Sequence, residues 1–508
     1  MKTILVIGLI TILFIITPFG IALDGNIKSS EEIHIDFPNC NENTSSITTQ
    51  MEGACEGYTL INLLETFGGR AKLIDMDGDI KNIWSSFFPS VYSFPAKMLP
   101  GGEIIVGKIP IFLPTIINFL FGSAAGHAFA GNKYLVQMDW NGKTLWSFNN
   151  WDNLKLFIFN FGKSARQHHD FQREGNPVGY YSPGQDFVTK GKTLILAHKD
   201  VLNTSISEKT LHDDVIYEVD WNGELTGFIW YANEHFDEFG FDEDAKKSIR
   251  EYPGLDVPDV EWLEITRLQG FGEGGWLHIN SVSRLGKNKW YDQDPVQYSY
   301  FHPENLIIDS RHANFIVIID PVTGNIVWRL GPDYSDEISN IGQIIGPHNA
   351  HIIPDGLPGA GNILVFDNGG AAGYGSVPGQ PNKYRNYSRV IEFNPVTMEL
   401  VWEYSNIKSE KANDTFIHHW LNITKGEDHH FFSPYVCSAQ RLPNSNTLIT
   451  EGYSKRVFEV NPKGELVWEF APNTPKLRSK IGVIYRAYRI PPEWTKNNPS
   501  GYTFWENN

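Results

Sequence analysis

One pattern recurs six times along the chain and restricts what it can fold into. An alternating apolar strand leads into a turn that begins with Asp or Asn, and a second strand follows that usually ends in Trp. The copies lie at 73–84, 135–146, 216–227, 316–328, 390–402 and 457–468. Alternation with a period of two around an Asn-, Asp-, Pro- or Gly-rich turn is typical of a β-hairpin. Six such hairpins in 508 residues indicate a repeat architecture.

A second hairpin pattern, often with a Leu-Pro-Asn/Asp-Gly turn, alternates with the first. Its clearest copies lie at 96–106, 350–356 and 439–449. Two hairpins per repeat give four antiparallel strands, which is one propeller blade. We therefore expect an all-β fold, a six-bladed β-propeller of four-stranded antiparallel blades. Five blades are expected at roughly 90–148, 165–230, 275–330, 345–404 and 435–470.

The sixth blade is expected to combine strands from both ends of the chain. The C-terminal strand at 485–491 would join the N-terminal hairpin at 58–84, which closes the ring and leaves few exposed strand edges. The propeller then covers 58–500, with an N-terminal extension at 24–57 and a tail at 501–508. The spacing between repeats varies, and the largest insertions are expected near 235–275 and 405–432.

The first 23 residues have the pattern of an export segment. Lys2 precedes an apolar run from about Ile4 to Leu23. A lysine before a long apolar stretch is typical of a signal peptide, and this run is also long enough to stay as a membrane anchor. Both fates remain open, so we expect a protein that is secreted or anchored on the extracytoplasmic face of a membrane.

Charge and missing motifs exclude several functions. The net charge of −17 opposes binding to nucleic acid or to an anionic membrane surface, so an anionic small substrate would need a local positive cluster. The sequence has no P-loop motif for a nucleotide donor. It also has no His-Glu-x-x-His and no Cys-x-x-Cys, so no common zinc site is indicated and no cofactor is expected. Several histidines that converge on one channel leave metal binding open as a minor alternative.

The innermost strand of each blade lines a propeller's central channel. Alignment of the repeats on their turns places six residues at one level: Phe94, His168, His278, His348, Cys437 and Arg486. His169 is an alternative to His168. A neutral imidazole serves as nucleophile or base, an imidazolium as acid, and an arginine fork binds a tetrahedral oxyanion. The competing interpretation is a set of polar residues solvated by channel water.

Other polar residues are expected close to this level of the channel. Asn280 lies two residues after His278, on the same face of the strand. Arg311 ends the strand that pairs with the His278 strand. His198 and Asn368 occupy matching places in the preceding and following blades. Together these residues suggest a polar site at one end of the channel.

The runs 276–282, 309–312, 346–350 and 366–369, together with 168–170 and 486–490, resemble the arylsulfate sulfotransferase family. The resemblance covers roughly 58–495. It implies an exported six-bladed propeller that moves a sulfuryl group from a phenolic sulfate ester to another phenol without a nucleotide donor. The family's nucleophile is a channel histidine that is transiently sulfated, and by position it resembles His348. The family's other channel groups match His278, Asn280, Arg311, and either His168 or His169.

These roles agree with the chemistry of sulfuryl transfer. By analogy with phosphoryl transfer, positioning and oxyanion stabilisation should dominate. Arg311 and protonated His278 are expected to hold the sulfate oxygens, and His168 or His169 to protonate the leaving phenolate. Asn280, Asn368 and Arg486 are expected to bind substrate. Two half-reactions through one covalent intermediate would give ping-pong kinetics.

Two alternatives stay open beside the sulfotransferase. One is a cell-surface binding propeller without catalysis, and the other is an aryl sulfate hydrolase that uses water as acceptor. Expected partners are small aryl sulfates and phenols, and the oligomeric state is open. The chain departs from the family where Pro347 precedes His348 and where an insertion occupies 286–302. The 24–57 segment is short, so we expect the separate N-terminal β-domain that bacterial members often carry to be absent or vestigial.

Overall fold

The structure is a computed structural model. It describes residues 47–65, 68–85, 90–110, 131–156, 159–175, 178–180, 182, 188–255, 275–334, 341–406, 431–471 and 482–495. All of them belong to one compact unit, Thr44–Asn508. The predicted export segment, most of the extension and the tail at 501–508 lie outside the described residues, as do 256–274 and 407–430 of the two large insertions.

Six antiparallel sheets form the blades of a β-propeller, which confirms the predicted fold. In each blade the strands follow in order from the channel outwards. Blade 1 contains Gly482–Ile490, Tyr58–Glu65, Gly68–Ile74 and Ile80–Ser85, and blade 2 contains Ser90–Leu99, Glu103–Pro110, Tyr134–Met138 and Thr144–Phe148. Blade 3 contains Gln167–Arg173, Thr193–Val201, Leu211–Val219 and Leu225–Tyr231, and blade 4 contains Ile279–Arg284, Leu306–Ser310, Phe315–Ile319 and Ile326–Leu330. Blade 5 contains His348–Ile352, Ile363–Asp367, Arg389–Phe393 and Leu400–Tyr404, and blade 6 contains Ser438–Arg441, Thr447–Glu451, Arg456–Val460 and Leu466–Ala471.

Short strands and helices are attached to the blades. Two strand pairs lie outside them, Asp152–Leu156 with Phe159–Ser164 and Gly370–Ala372 with Lys383–Arg385. The described helices are Ala232–His235, Glu243–Glu251, Lys289–Gln293, Ser299–Phe301 and Pro492–Trp494. Among the described residues, no helix has the length and apolar character needed to cross a membrane.

The repeat motif forms the contacts that hold neighbouring blades together. The leading Asp of the turn accepts backbone N–H groups, as Asp75 does from Asp77 at 3.1 Å and Asp79 at 2.8 Å, which fixes the hairpin turn. The terminal Trp then donates its indole N–H to a turn carbonyl of the next blade. These bonds join Trp84 to Asp139, Trp328 to Pro395, Trp402 to Pro462 and Trp468 to Met76, at 2.9 to 3.1 Å. The recurring Trp therefore joins its blade to the next through a hydrogen bond.

The C-terminal strand closes the ring as predicted. Gly482–Ile490 pairs with Tyr58–Glu65, with Tyr58 opposite Ile490. A buried ion pair between Arg489 and Glu459, 3.0 Å long, joins this closing strand to blade 6. Both termini of the propeller thus contribute to one blade, and the exposed edges that an open ring would present are paired.

Blade 6 has a fifth strand that the sequence pattern did not predict. Ile47–Gln50, within the segment taken as an extension, pairs antiparallel with Leu466–Ala471, and Ile47 lies opposite Ala471. The outermost strand of a blade presents unpaired backbone groups, and an added strand satisfies them. Four residues carry too short an alternation to be recognised in the sequence.

Candidate active site

The innermost strands of blades 3, 4 and 5 are each interrupted by a bulge at the same end of the channel. The registers shift between Gln167 and Phe171, between Ile279 and Ser281, and between His348 and His351. Left-handed backbone accompanies these bulges, with φ values of 52° at His169, 53° at His278 and 57° at Asn349. Bulges re-aim side chains, and residues in this sparsely populated conformation cluster at functional sites. The bulges therefore turn polar side chains towards one level of the channel.

Imidazoles from blades 3 and 4 meet at this level. The ring centroids of His169 and His278 are 4.6 Å apart, and those of His278 and His312 are 4.7 Å apart. Burial, followed by the neighbouring imidazoles and Arg311, lowers the pKa of His169 and His278 well below the usual range. At neutral pH His278 is therefore a neutral ring with one N–H donor, and not the imidazolium that the sequence led us to expect.

His348 begins the innermost strand of blade 5, and its tautomer is set by Asn368. The Nδ2 group of Asn368 donates to the carbonyls of Ser433 at 2.6 Å and Val436 at 3.0 Å. Its Oδ1 must then face His348, whose Nδ1 lies 2.8 Å away. Because an amide oxygen can only accept, Nδ1 carries the proton and Nε2 keeps its lone pair. The carbonyl of Gly346, 3.2 Å from Nδ1, supports the same tautomer.

Burial also keeps the His348 ring uncharged. Burial and then the positive charge of Arg311 lower the pKa of His348 to about 3, against the opposing bond from Asn368. The side chain is 1% exposed. A neutral imidazole with a defined lone pair on Nε2 is a nucleophile at any pH well above that value. The arrangement requires no separate base to activate it.

Arg311 supplies the positive charge of the site. Its backbone N–H donates to the carbonyl of His278 at 3.2 Å, which fixes it beside the blade 4 bulge. Burial lowers the pKa of its guanidinium to about 10, so the group stays charged at neutral pH. Its charge depresses the pKa of His169, His278 and His348 alike, which places all three within its field. A buried guanidinium among neutral imidazoles favours an anionic ligand.

The family follows from comparison with known proteins. The model of a family described as arylsulfotransferase (ASST) matches residues 128–487. The chain belongs to the arylsulfotransferase family. No curated protein matches the sequence.

Solved structures that are similar to this chain have low sequence identity to it. A protein of unknown function from Bacteroides caccae is 13% identical, with 86% of this chain and 99% of that chain covered and a TM-score of 0.39. Apo AztD from Citrobacter koseri is 9% identical, with 85% and 98% covered and a TM-score of 0.33. The Dos1 propeller is 9% identical, with 85% and 76% covered and a TM-score of 0.30.

Arg486 lies in the channel, but its hydrogen bonds go to protein partners. Its Nη1 donates to Asp170 at 3.0 Å and its Nη2 to the carbonyl of Asn280 at 2.6 Å. Burial opposes its charge, yet Asp170 holds its pKa well above the usual value. Lys97 also pairs with Asp170, at 2.6 Å. We therefore assign Arg486 to the framework that joins blades 1, 3 and 4, and not to a substrate contact.

Asn280 links blade 4 to the strand that carries His348. Its Nδ2 donates to the carbonyl of Pro347 at 2.7 Å. Its Oδ1 is buried and has no hydrogen-bond partner among the described residues. A buried acceptor without a partner costs free energy unless something else binds it, and a hydroxyl of a ligand would satisfy it.

The two histidines left as alternatives point to different places. His169 lies beside His278, whereas His168 stacks on His198 with ring centroids 3.5 Å apart and contacts Asp214. The structure thus places five residues in one group: His169, His278, His312, His348 and Arg311. His168 lies outside this group, beside His198 and Asp214. Cys437 is buried near Asn368, and the side chain of Phe94 lies outside the described residues.

Tyr485 is a site residue that the sequence analysis missed. Its hydroxyl lies 2.7 Å from Nδ1 of His169. Strand alternation puts Tyr485 and Arg486 on opposite faces, but the closing strand has a bulge between Ile484 and Ala487. The bulge allows both side chains to reach the channel. Burial raises the pKa of Tyr485 above its usual value, so the hydroxyl keeps its proton. A protonated hydroxyl pairs with Nδ1 of His169 as donor or as acceptor, according to the tautomer of that ring.

Proposed function

We propose that the protein transfers a sulfuryl group from a phenolic sulfate ester to a second phenol, with His348 as the nucleophile. The observation that carries this proposal is the hydrogen bond between Nδ1 of His348 and Oδ1 of Asn368, which leaves Nε2 with its lone pair. The neighbouring charge of Arg311 suits the sulfate of the donor. Membership of the arylsulfotransferase family supports the same chemistry.

The first half-reaction moves the sulfuryl group onto the protein. The Nε2 lone pair of His348 attacks the sulfur, an N–S bond forms, and the bond between sulfur and the phenolic oxygen breaks. The leaving phenolate takes up a proton from solvent and departs as phenol. The sulfated ring is an imidazolium whose remaining proton, on Nδ1, lies on the nitrogen 2.8 Å from the Asn368 oxygen. That hydrogen bond is stronger to a cation than to a neutral ring, so it stabilises the intermediate more than the starting state.

The second half-reaction reverses the first with a different phenol. The acceptor oxygen attacks the sulfur, its proton is released to solvent, and the N–S bond breaks to restore the neutral His348. The donor and acceptor phenols occupy the same place in turn, because attack and departure use the same in-line path. Products are the free phenol and the new sulfate ester, so atoms and charge balance. Kinetics of the ping-pong type follow.

Neighbouring groups stabilise the charge on the sulfuryl oxygens. Arg311 is a fixed cation, and the neutral rings of His169 and His278 each offer one N–H donor. Fixed donors in a buried site stabilise a developing oxyanion without reorganisation. The unpartnered Oδ1 of Asn280 is suited to accept the hydroxyl of the incoming phenol. Arg311, His169 and His278 thus serve the sulfate, and Asn280 the acceptor.

The test uses a chromogenic aryl sulfate with labelled sulfur and follows transfer of the label to the protein and then to an acceptor phenol. Without acceptor, the full-length protein should release one burst of phenol and retain the label in a bond that acid cleaves and base preserves, as expected for an N–S bond. Added phenol should discharge the label into a new sulfate ester. His348→Asn should neither release phenol nor take up label.

His351→Asn is the matched control. His351 lies in the same strand and is equally buried, but its Nδ1 bonds to the carbonyl of Asn349 at 2.8 Å and its Nε2 to the hydroxyl of Tyr180 at 2.8 Å. Labelling of His351→Asn should match the wild type per folded molecule. Equal labelling in both variants would refute His348 as the nucleophile. Phenol release that continues without acceptor would instead indicate a hydrolase, and no release would favour a binding propeller.

A further inference from the structure

A second group of histidines lies behind the proposed active site. His168, His198 and Asp214 come from three successive strands of blade 3, and their side chains are 2%, 1% and 0% exposed. One ligand atom from each lies within 4.8 Å of the others. Nε2 of His168 is 3.2 Å from Oδ1 of Asp214, and Nε2 of His198 is 3.6 Å from the same oxygen.

The group is rich in polar atoms that the protein does not satisfy. His168 has a hydrogen-bond contact with the backbone of Ala197. Among the described residues, no hydrogen bond of acceptable geometry reaches either ring nitrogen of His198 or Oδ1 of Asp214. Most buried side-chain polar atoms in proteins have a partner. Three such atoms in one place, two on His198 and one on Asp214, therefore indicate that the group binds something besides the protein itself.

We propose that His168, His198 and Asp214 bind a divalent transition-metal ion of the zinc class. Two imidazoles and one carboxylate are a ligand set that such ions prefer. Metal–ligand bonds of about 2.0–2.1 Å at tetrahedral angles put the ligand atoms about 3.3–3.4 Å apart. The observed separations of 3.2 and 3.6 Å bracket that value. Three protein ligands leave a fourth position open to water.

The surroundings of the group favour the same interpretation. The second carboxylate oxygen of Asp214 accepts the backbone N–H of Ile279 at 3.3 Å, which orients Oδ1 towards the histidines. Hydrogen bonds that orient a ligand carboxylate are typical of metal sites.

Metal binding would change the geometry of the two rings. The rings of His168 and His198 lie parallel, with an interplanar angle of 5° and a centroid distance of 3.5 Å. Their Nε2 lone pairs must converge on one ion, so at least one ring has to tilt out of the stack. The ion would then join three neighbouring strands of blade 3 close to the blade 4 bulge. We expect it to stabilise the folded protein, since a ligand that binds only the native state raises the unfolding midpoint.

The experiment uses the full-length protein after treatment with a chelator, with no sulfate ester present. Co²⁺ should give the visible absorption of a tetrahedral site, saturate at about one ion per chain, and be displaced by Zn²⁺. Zn²⁺ should raise the unfolding temperature. X-ray absorption of the Zn²⁺-loaded protein should show two imidazole ligands. A wild-type protein without saturable Co²⁺ binding, or a zinc shell without imidazole, would overturn the proposal.

Paired variants locate the site. Asp214→Asn should weaken Zn²⁺ binding by more than about 100-fold, because loss of a mere outer-shell partner already costs roughly 10- to 100-fold. Asp309→Asn is the matched control. Asp309 is also buried, and its Oδ2 accepts the N–H of Ala350 in the next blade at 2.7 Å, as Asp214 does from Ile279. Asp309→Asn should bind Zn²⁺ like the wild type. Equal affinity in the two variants would refute Asp214 as a ligand, whatever the result of the sulfuryl-transfer assay.

Discussion

Replacement of Asn368 by leucine tests whether the amide of Asn368 prepares His348, the proposed nucleophile, by fixing its tautomer. The variant removes the acceptor that lies 2.8 Å from Nδ1 of His348. A hydrogen bond to a neutral ring contributes about 0.5–1.5 kcal/mol, and one to the cationic sulfated ring about 1.5–3 kcal/mol. The difference, about 1–1.5 kcal/mol, slows formation of the intermediate by roughly ten-fold. Loss of the preferred tautomer slows it further, although the carbonyl of Gly346 at 3.2 Å keeps part of that preference. We expect labelling to slow by roughly 10- to 100-fold.

The same variant also destabilises the fold, and a control must separate the two effects. The introduced leucine side chain cannot donate to the carbonyls of Ser433 and Val436, and an unsatisfied buried carbonyl costs about 1–3 kcal/mol. Ser388→Ala removes a hydroxyl that donates to the Asn368 carbonyl at 2.7 Å and accepts the Ser433 N–H at 2.8 Å. This control variant leaves the bond between Asn368 and His348 in place and should lose similar stability.

The labelling rates of the two variants are measured by rapid quench with labelled aryl sulfate. They separate the loss of the hydrogen bond to His348 from the loss of stability. Both rates are divided by the folded fraction, which is taken from urea unfolding. Ser388→Ala should label at the wild-type rate, and Asn368→Leu should be slower by the stated factor. A rate for Asn368→Leu equal to that of Ser388→Ala would refute the reasoning that this amide prepares His348.

Further predictions concern the charge, the pH profile and the ring closure. Since burial and then Arg311 lower the pKa of His348 to about 3, the labelling rate should be level between about pH 5 and 8, whereas a fall near about pH 6.5 would indicate an ordinary imidazole. Arg311→Gln should slow labelling by about 10²–10³-fold and raise the pH of the acid limb, because a charge that opposes protonation of His348 is lost. Arg311→Lys should keep the wild-type pH profile. If the acid limb of the pH profile lies at the same pH in Arg311→Gln as in the wild type, the charge of Arg311 does not lower the pKa of His348. Arg489→Met should lower the free energy of unfolding by about 3–5 kcal/mol, since it leaves Glu459 buried without its partner, and a loss below about 1 kcal/mol in urea titration would contradict that role.

The repeats made the fold predictable because each hairpin motif has a direct physical role. The Asp of the turn binds backbone N–H groups and the terminal Trp binds the next blade, so the same residues recur wherever that contact recurs. Ring closure followed from counting strands at both ends of the chain. The fifth strand of blade 6, Ile47–Gln50, was not predictable, because its four residues satisfy an edge and repeat no motif.

The site was less predictable than the fold because bulges break the alternation on which the prediction depended. A regular strand would point His168 and His169 to opposite faces, but nothing in the sequence says where the register shifts. The prediction therefore left both open, and it missed Tyr485 for the same reason. Arg486 was expected at the substrate because arginine binds oxyanions. Its partner Asp170 lies on another blade, and only the fold brings the two together.

The chemistry of the site depends on the partner of one nitrogen in each imidazole. Nδ1 of His348 faces an amide oxygen, which can only accept, so Nε2 carries a lone pair. Nδ1 of His169 faces the protonated hydroxyl of Tyr485, which can donate or accept, so this partner does not fix the tautomer of His169. The two neutral rings therefore differ in how their partners constrain them, and the proposed nucleophile is the ring whose tautomer is fixed. Because Asn368 and Tyr485 lie 20 and 316 residues from their histidines in sequence, this difference is a property of the folded ring of blades and cannot be assigned from the histidines alone.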